Sequence, residues 1–331
     1  MLLLTMSDVQ KAINMREAID VVEQAFTAFS AGRAVVPLRT QVEVAEKEAV
    51  SLYMPGFVRD LGALGIKIVS VFPQNPRRGL PTICSLVVLN DPETGEPAAA
   101  MEGSWLTALR TGAASGVATR YLARRDAAVA AIIGTGYQAV TQLEAVLCER
   151  DIKEVRVFDI DPVCSQRYRE DMEAKLPAPL PLFKTSASVA EAVDGADIIC
   201  TATTSKNPVF PGNNLMDGAH INAVGAFTPE MQEIGQDVLS KASKVVVDSR
   251  DAALEEAGDL IVPIKKGLFR PEDIYAELGE ISGGKKKGRE DAGEITLFKT
   301  VGLSVQDMAV GIHVLKRARE LGLGQDFNFT G

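Results

Sequence analysis

The sequence predicts an α/β fold in which a doubly wound parallel sheet stands beside a second, α+β domain. Three observations carry this reading. The chain has 331 residues, more than one hydrophobic core comfortably serves, so two domains are expected. Apolar runs without alternation recur between Ala128 and Val247, as in strands covered on both faces, with helical stretches between several of them. Ahead of residue 125 the texture differs, with short extended runs split by turn residues.

The first segment reads as a helix. Asn14 followed by Glu17 forms a capping box, and Ile19, Val22, Phe26 and Phe29 recur at helical spacing until Gly32 stops the run. Strands are expected at Val42–Val44, Ser51–Met54, Gly65–Val71 and Ile83–Leu89. The run from Asn90 to Gly95 is a turn by its Asn, Asp, Pro and Gly chemistry. A helix should span Trp105–Ala123, with few breakers apart from Gly112 and Gly116, and with Ala113, Ala114, Gly116 and Ala118 making one side fit for close packing. Buried strands follow at Ala128–Ile133, Val155–Phe158, Ile198–Ala202, Ile221–Val224 and Val245–Val247. Ser282–Arg289, with Lys285, Lys286 and Lys287, reads as an exposed loop; a basic ligand patch is the alternative. A last helix covers Val305–Leu321 and returns to the first domain. The expected domains are therefore 1–124 plus 301–331, and 125–300.

Composition narrows the function. Hydrophobic residues at 46% and charged residues at 24% describe a globular enzyme, not a disordered chain. A formal charge of −9 argues against nucleic acid or an anionic membrane as partner. The cysteines Cys84, Cys148, Cys164 and Cys200 form no CxxC pair, and His220 and His313 are the only histidines, so no metal site is expected. Met1–Leu4 is too short for a signal-peptide core, and no apolar run approaches the ~18 residues of a membrane span. A cytoplasmic protein is the expectation.

The strongest motif is Gly134-Thr135-Gly136-Tyr137-Gln138-Ala139, a G-x-G-x-x-A directly after the Ala128–Ile133 strand and before the Val140–Leu147 helix. Gly134 permits the tight turn, Gly136 lets backbone approach a pyrophosphate, and Ala139 lets the helix pack on the strand. The helix N-terminus presents unpaired N–H groups to the phosphates. Asp159, at the end of the next strand and about 20 residues on, stands where an acid accepts hydrogen bonds from ribose hydroxyls. Glycines alone would serve an ordinary turn; strand, turn, helix, strand and acid in order point to a Rossmann dinucleotide site. A carboxylate repels the extra phosphate of NADP, so NAD is the expected cofactor; NADP stays open because Arg156 or Arg167 could fold in.

Three cations precede this unit: Arg39, Lys67 and Arg110. Lys67 interrupts an apolar strand, and a buried cation needs an anion or a catalytic reason. Arginine grips a carboxylate through two parallel hydrogen bonds, so the set suits an amino or keto acid. Each taken alone also fits a surface salt bridge.

SLYMPG (51–56), GIKIVSVFPQNPRRGLPT (65–82), DPETGEP (91–97), LTALRTGAAS (106–115), IIGTGYQA (132–139), INAVG (221–225) and TLFKTVGLSVQD (296–307) together resemble the ornithine cyclodeaminase/mu-crystallin family over nearly the whole chain. The resemblance implies a central Rossmann domain and a second domain that holds substrate and pairs two subunits in a homodimer. It implies hydride transfer at a carbon bearing an amine or imine. Carried over by motif, Arg39 and Arg110 would hold the substrate carboxylate, and Lys67 would orient substrate or relay a proton. Thr82, Arg110, Thr111, Gly134, Gly136, Tyr137, Gln138, Asp159, Thr203, Val224, Gly225, Thr300 and Val301 would contact the dinucleotide.

One departure is informative. Cyclodeaminases and alanine dehydrogenases of the family carry an acid shortly after the INAVG stretch, as G-x-D-x-P; here Phe227 stands in that place. A phenyl ring moves no proton, whereas ornithine cyclisation needs a group that does. A ketimine-reducing member of the family also lacks the acid. Phe227 would then favour an apolar, cyclic substrate, although it could merely pack in its loop, and Glu230 or Glu233 could substitute for the acid. The reading is an NAD(P)H-dependent reductase of cyclic ketimine acids such as pyrroline-2-carboxylate. The alternatives are ornithine cyclodeaminase or an alanine or other amino-acid dehydrogenase on the same scaffold, and a non-catalytic protein that retains the cofactor and binds a small ligand.

Overall fold

Side chains that alternate between a buried and a half-exposed face build the first sheet. A computed structural model describes residues 1–328; the last three residues of the expected first domain, 329–331, lie outside the described residues. The first strands are β1 (Leu2–Leu4), β2 (Ala34–Val35), β3 (Thr40–Val44), β4 (Ala49–Val58), β5 (Ala63–Val71), β6 (Ile83–Asn90) and β7 (Pro97–Glu102). They are ordered β1-β7-β6-β5-β4-β2, with β3 also paired to β4. The pairs from β4 to β7 are antiparallel, and β1 joins β7 in parallel. Asp91 makes the β6–β7 turn as its chemistry requires: its side chain accepts from Glu93 N at 2.8 Å and Thr94 N at 3.1 Å.

Two helices precede the main strands. In α2 (Met15–Ser30) the expected box is present: Asn14 Oδ1 accepts from Glu17 N at 3.1 Å, and Asn14 N donates to Glu17 Oε2 at 2.9 Å. Gly32, at φ +71°, turns the chain away after it. A shorter helix, α1 (Met6–Ala12), goes beyond the expectation; it carries its own box between Thr5 and Asp8, but seven residues hold too little apolar period to read.

Helix α3 (Ser104–Leu122) leads into the second sheet. Gly112, read from sequence only as a breaker, is a point of close approach: a Cβ there would run into the Thr141 carbonyl and stand 2.8 Å from Thr141 Cβ on α4 (Tyr137–Glu149). The strands are β8 (Val129–Ile133), β9 (Glu154–Phe158), β10 (Leu182–Thr185), β11 (Ile198–Thr201), β12 (His220–Ala223), β13 (Lys244–Val247), β14 (Ile274–Glu277) and β15 (Thr296–Lys299). All pair in parallel, in the order β10-β9-β8-β11-β12-β15-β13-β14. The crossovers use α5 (Pro162–Lys175), α6 (Val189–Val193), α7 (Gln236–Lys241), α8 (Arg250–Glu256), α9 (Gly258–Lys265) and α10 (Leu278–Ser282). Strand order reverses between β8 and β11, the place where an open parallel sheet leaves room for a ligand at the carboxyl ends of its strands. Lys285–Lys287 lie in an exposed loop, as expected.

The chain ends in α11 (Ser304–Leu321) and β16 (Gln325–Asp326), the latter beside β1. Helix α11 packs on α2 and on β4, β5 and β6. Glycines allow the close approach: a Cβ at Gly65 would strike the Val88 carbonyl and stand 3.0 Å from Met308 Sδ, and one at Gly56 would stand 2.6 Å from Ser304 Oγ. Two compact units result, Met1–Arg110 with Gly302–Gly331 and Thr111–Val301. The division falls within α3, whereas the sequence alone places it at 124/125.

The second unit holds one buried group whose titration bears on stability. His220 on β12 is fully buried; one ring nitrogen meets Thr296 Oγ1 at 2.9 Å and the other Asn222 Oδ1 at 3.1 Å. Burial, with a smaller contribution from the Arg289 charge, lowers its pKa from 6.5 to about 3. The native ring therefore stays neutral while an unfolded one takes up a proton below pH 6.5. Its contribution is present above that pH and is lost as pH falls from 6.5 toward 3. We expect about 2 kcal/mol of stability to disappear from this source between pH 7 and pH 5. Denaturant midpoints should fall over that range and fall less in His220→Gln; equal slopes in the two proteins would contradict the assignment.

Candidate active site

Period two on β5 decides where Lys67 goes. Ala63, Gly65, Lys67 and Val69 share the buried face of the strand, so the lysine lies among apolar neighbours at 1% exposure. The same face is covered by α11, and Asp307 on that helix supplies the anion: its Oδ2 lies 2.9 Å from Lys67 Nζ. Asp307, itself at 0% exposure, turns its other oxygen to Arg110 Nε at 3.0 Å. Gln306, one residue earlier, accepts from Arg110 Nη1 at 3.0 Å and from Leu303 N at 2.7 Å. Arg39 donates to the Gly302 carbonyl at 2.8 Å. Gly302, at φ +82°, leaves the space that the Arg110 guanidinium fills. The unit thus gathers Arg39, Lys67 and Arg110 around the start of α11, with one carboxylate serving two of the cations.

Burial lowers the Lys67 pKa from 10.5 to about 7, and the Arg110 charge adds to the shift. Asp307 opposes it, and Arg39 contributes a smaller lowering. The ammonium is therefore close to half-ionised near neutral pH. Thr82, the remaining candidate of this unit, pairs through its carbonyl with Phe72 N at 2.8 Å just before β6.

The second unit contains the glycine turn. Gly134 follows β8 at φ +84°, and a Cβ there would stand 2.8 Å from Thr203 Cγ2 and 2.9 Å from the Ala202 carbonyl. Gly136 caps α4 without any side-chain cap, and a Cβ there would enter open space. No side chain covers the first turn of this 13-residue helix, where the Ala139 amide bonds the Gly136 carbonyl at 3.0 Å, with Tyr137 exposed and Gln138 half-buried at its start. Asp159 binds the same turn, accepting from Thr135 N and Thr135 Oγ1, each at 2.8 Å. The nearby arginines are engaged elsewhere: Arg156 with Glu154 at 2.6 Å and Arg167 with Asp171 at 3.8 Å. An uncapped helix start, a left-handed glycine and an acid at the next strand end fit a dinucleotide diphosphate and its ribose.

Two buried carboxylates organise the rest of this rim. Glu233 accepts from Thr201 Oγ1, Thr203 N, Thr203 Oγ1, Gly225 N and Ala226 N at 2.6–3.2 Å. It ties the loop after β11 to the loop after β12, and a Cβ at Gly225 would stand 2.5 Å from its Oε1. Asp248 similarly accepts from Thr300 Oγ1 at 2.5 Å and Val301 N at 2.9 Å. Behind Glu233, Asp259 accepts from the Glu233 and Ile234 amides and pairs with buried Lys299 at 2.8 Å. Val224 is buried, and Phe227 is half-buried in the loop that follows.

Glu233, with its oxygens committed to five donors, does not substitute for an acid at Phe227, and Glu230 is exposed. Sequence reasoning missed Asp307, Gln306, Asp248, Asp259 and the tethering role of Glu233. One signal was present: a lysine on the buried face of a strand requires a carboxylate, and the SVQD run supplies one.

Among the described residues no cluster of His, Cys, Asp or Glu could hold a metal, and no helix is long and apolar enough to cross a membrane. The family model described as ornithine cyclodeaminase/mu-crystallin matches residues 1–322. A Delta(1)-pyrroline-2-carboxylate reductase of Bacillus cereus is 44% identical over 329 residues, 99% of this chain and all of its own length. The Thermococcus litoralis Delta(1)-pyrroline-2-carboxylate reductase, solved with NADH and L-proline, superposes with a TM-score of 0.95 at 46% identity, covering 99% of this chain and 100% of that one. An archaeal alanine dehydrogenase dimer with bound NAD superposes with a TM-score of 0.92 at 37% identity over 99% of both chains. With a family match across 322 residues on this fold, the chain belongs to the ornithine cyclodeaminase/mu-crystallin family.

Proposed function

We propose that the chain is a reductase of small cyclic imino acids of the Δ1-pyrroline-2-carboxylate class, with NADH as reductant. The observation that carries this reading is the cluster in the first unit, where Lys67 and Arg110 share the buried Asp307 and Arg39 binds the adjoining Gly302. Its charge is net positive, so it suits a carboxylate, and it holds one group able to give a proton near neutral pH. The relatives at 44–46% identity carry names for this reaction, and the ligand named for the Thermococcus protein, L-proline, is its saturated amino acid.

Arg39 and Arg110 would hold the substrate carboxylate by charge-assisted hydrogen bonds. Lys67 Nζ would give a proton to the imine nitrogen. In the reduction a C–H bond forms at the imine carbon, the C=N π pair becomes the nitrogen lone pair, and that nitrogen takes the Lys67 proton. Neutral Lys67 then regains a proton from solvent. NADH, when bound, supplies the hydride. Gly134, Gly136, Tyr137 and Gln138 would hold its diphosphate, and Asp159 the adenosine ribose. Thr82, Arg110, Thr111, Thr203, Val224, Gly225, Thr300 and Val301 are its further proposed contacts, with Glu233 holding Thr203 and Gly225 and Asp248 holding Thr300 and Val301. Phe227 would present an apolar ring and no acid, which disfavours cyclodeamination.

A cytoplasmic homodimer with Met1–Arg110 and Gly302–Gly331 as its substrate-binding and dimerisation domain completes the proposal. Cys84, Cys148, Cys164 and Cys200, none of them in a disulfide, and the dimer of the archaeal alanine dehydrogenase support it.

Nicotinamide absorbance tests the activity. Pyrroline-2-carboxylate and piperideine-2-carboxylate should oxidise NADH rapidly, and ornithine with NAD should stay silent; proline and ammonia from ornithine would overturn the reading of Phe227. Asp159 sets the coenzyme. Asp159→Ala should raise the ratio of NADPH to NADH efficiency by about tenfold, on the order of 1.4 kcal/mol of lost discrimination. An unchanged ratio in kcat/KM would remove Asp159 from coenzyme selection.

A further inference from the structure

We propose that Asp307 is a positioning residue of the reaction: by dividing one buried carboxylate between Lys67 and Arg110, it aims both cations and keeps Lys67 in its proton-bearing form. This rests on the functional reading above.

The geometry is specific. Each oxygen of Asp307 serves a different cation, Oδ2 to Lys67 Nζ at 2.9 Å and Oδ1 to Arg110 Nε at 3.0 Å. The carboxylate lies at 0% exposure, and the two cations at 1% and 6%, so water does little to screen the repulsion between them. The surrounding elements fix the aspartate. Gln306 is locked by Leu303 N and Arg110 at the start of α11, and Gly56 and Gly65 let that helix lie close on β4 and β5. Asp307 therefore has little freedom to follow a displaced lysine.

The charged groups that act on Lys67 come from three segments: Asp307 from α11, Arg110 from α3 and Arg39 from the stretch before β3. Two of them are cations. Without the aspartate the ammonium would face only like charge in a buried site, and it would lose its proton at lower pH. Arg110 would also lose one of the bonds that orient its guanidinium for a carboxylate. A carboxylate that only held the helix on the sheet would leave the alkaline limb of kcat/KM and the affinity for L-proline where they are.

The test compares the full-length enzyme with Asp307→Asn, which keeps shape and removes charge. Lysine labelled with ¹³C at Cε reports the Lys67 titration directly by NMR, with Lys67→Met identifying the signal. The Asp307→Asn midpoint should move at least one unit toward acid, the alkaline limb of kcat/KM for the cyclic imine should move with it, and L-proline should bind at least fivefold more weakly. Unmoved midpoints in folded Asp307→Asn would overturn the proposal. If Asp307→Asn does not fold, Asp307→Glu takes its place. That variant keeps the charge but shifts the carboxylate by a methylene, so it should hold the limb within half a unit while kcat falls at least tenfold; an unchanged kcat would overturn the proposal. A parent enzyme inert toward every cyclic imine would count against the functional reading alone, since the NMR midpoints test Asp307 without turnover.

Discussion

The burial of one ammonium group is the constraint on which the first unit depends. Lys67 occupies the core face of β5, between Gly65 and Val69, because strand alternation offers it no other. A lone buried charge at that place would be strongly destabilising, so the fold brings a carboxylate to it. Helix α11 closes on the sheet at Gly56 and Gly65, and Asp307 meets Lys67. Removing either member of such a pair typically costs about 3–5 kcal/mol, because its partner is left unpaired in a dry site. The carboxyl-terminal helix thus serves the charged cluster as well as the core.

Buried carboxylates play a related part in the second unit. Glu233 joins the loops that follow β11 and β12, Asp248 holds Thr300 and Val301, and Asp159 holds Thr135. Each makes its bonds largely to backbone amides and hydroxyls, so each fixes a loop, not a partner charge. The rim of the parallel sheet is in this way rigid before any ligand arrives, which lowers the ordering cost of binding. Burial nevertheless pushes the Glu233 carboxyl above the usual range, despite the opposing charge of Lys299. The five donors to Glu233 are what make such a group tolerable there.

Much of this was legible in the amino-acid order. Both-face burial marked β8, β11, β12 and β13, because uninterrupted apolar runs have few other uses. Strand β9, expected to be buried in the same way, alternates between buried Val155 and Val157 and half-buried Glu154, Arg156 and Phe158. The Asn14–Glu17 box and the Asp91 turn were readable because their bonds are local. Strands β7 and β15 were not readable: Pro97–Glu102 is rich in alanine, a weak strand former, and Thr296–Lys299 hides a buried lysine. In the site, the glycine turn and Lys67 announced themselves by position. Asp307 and Glu233 did not, since the partners of Asp307 and the Thr201 and Thr203 partners of Glu233 lie far away in sequence, and only the packing of α11 and the adjacency of β11 and β12 create those contacts.

If the Arg39–Lys67–Arg110–Asp307 cluster exists to receive a carboxylate, the negative charge of the ligand must dominate its affinity. The direct measurement is the binding of L-proline to the NADH-bound enzyme against that of L-prolinamide, which keeps the ring and amine but lacks the negative charge. Loss of a desolvated charge pair is worth at least about 2 kcal/mol, so prolinamide should bind at least about thirtyfold more weakly. Equal affinity for the two would contradict a carboxylate-receiving role for the cluster.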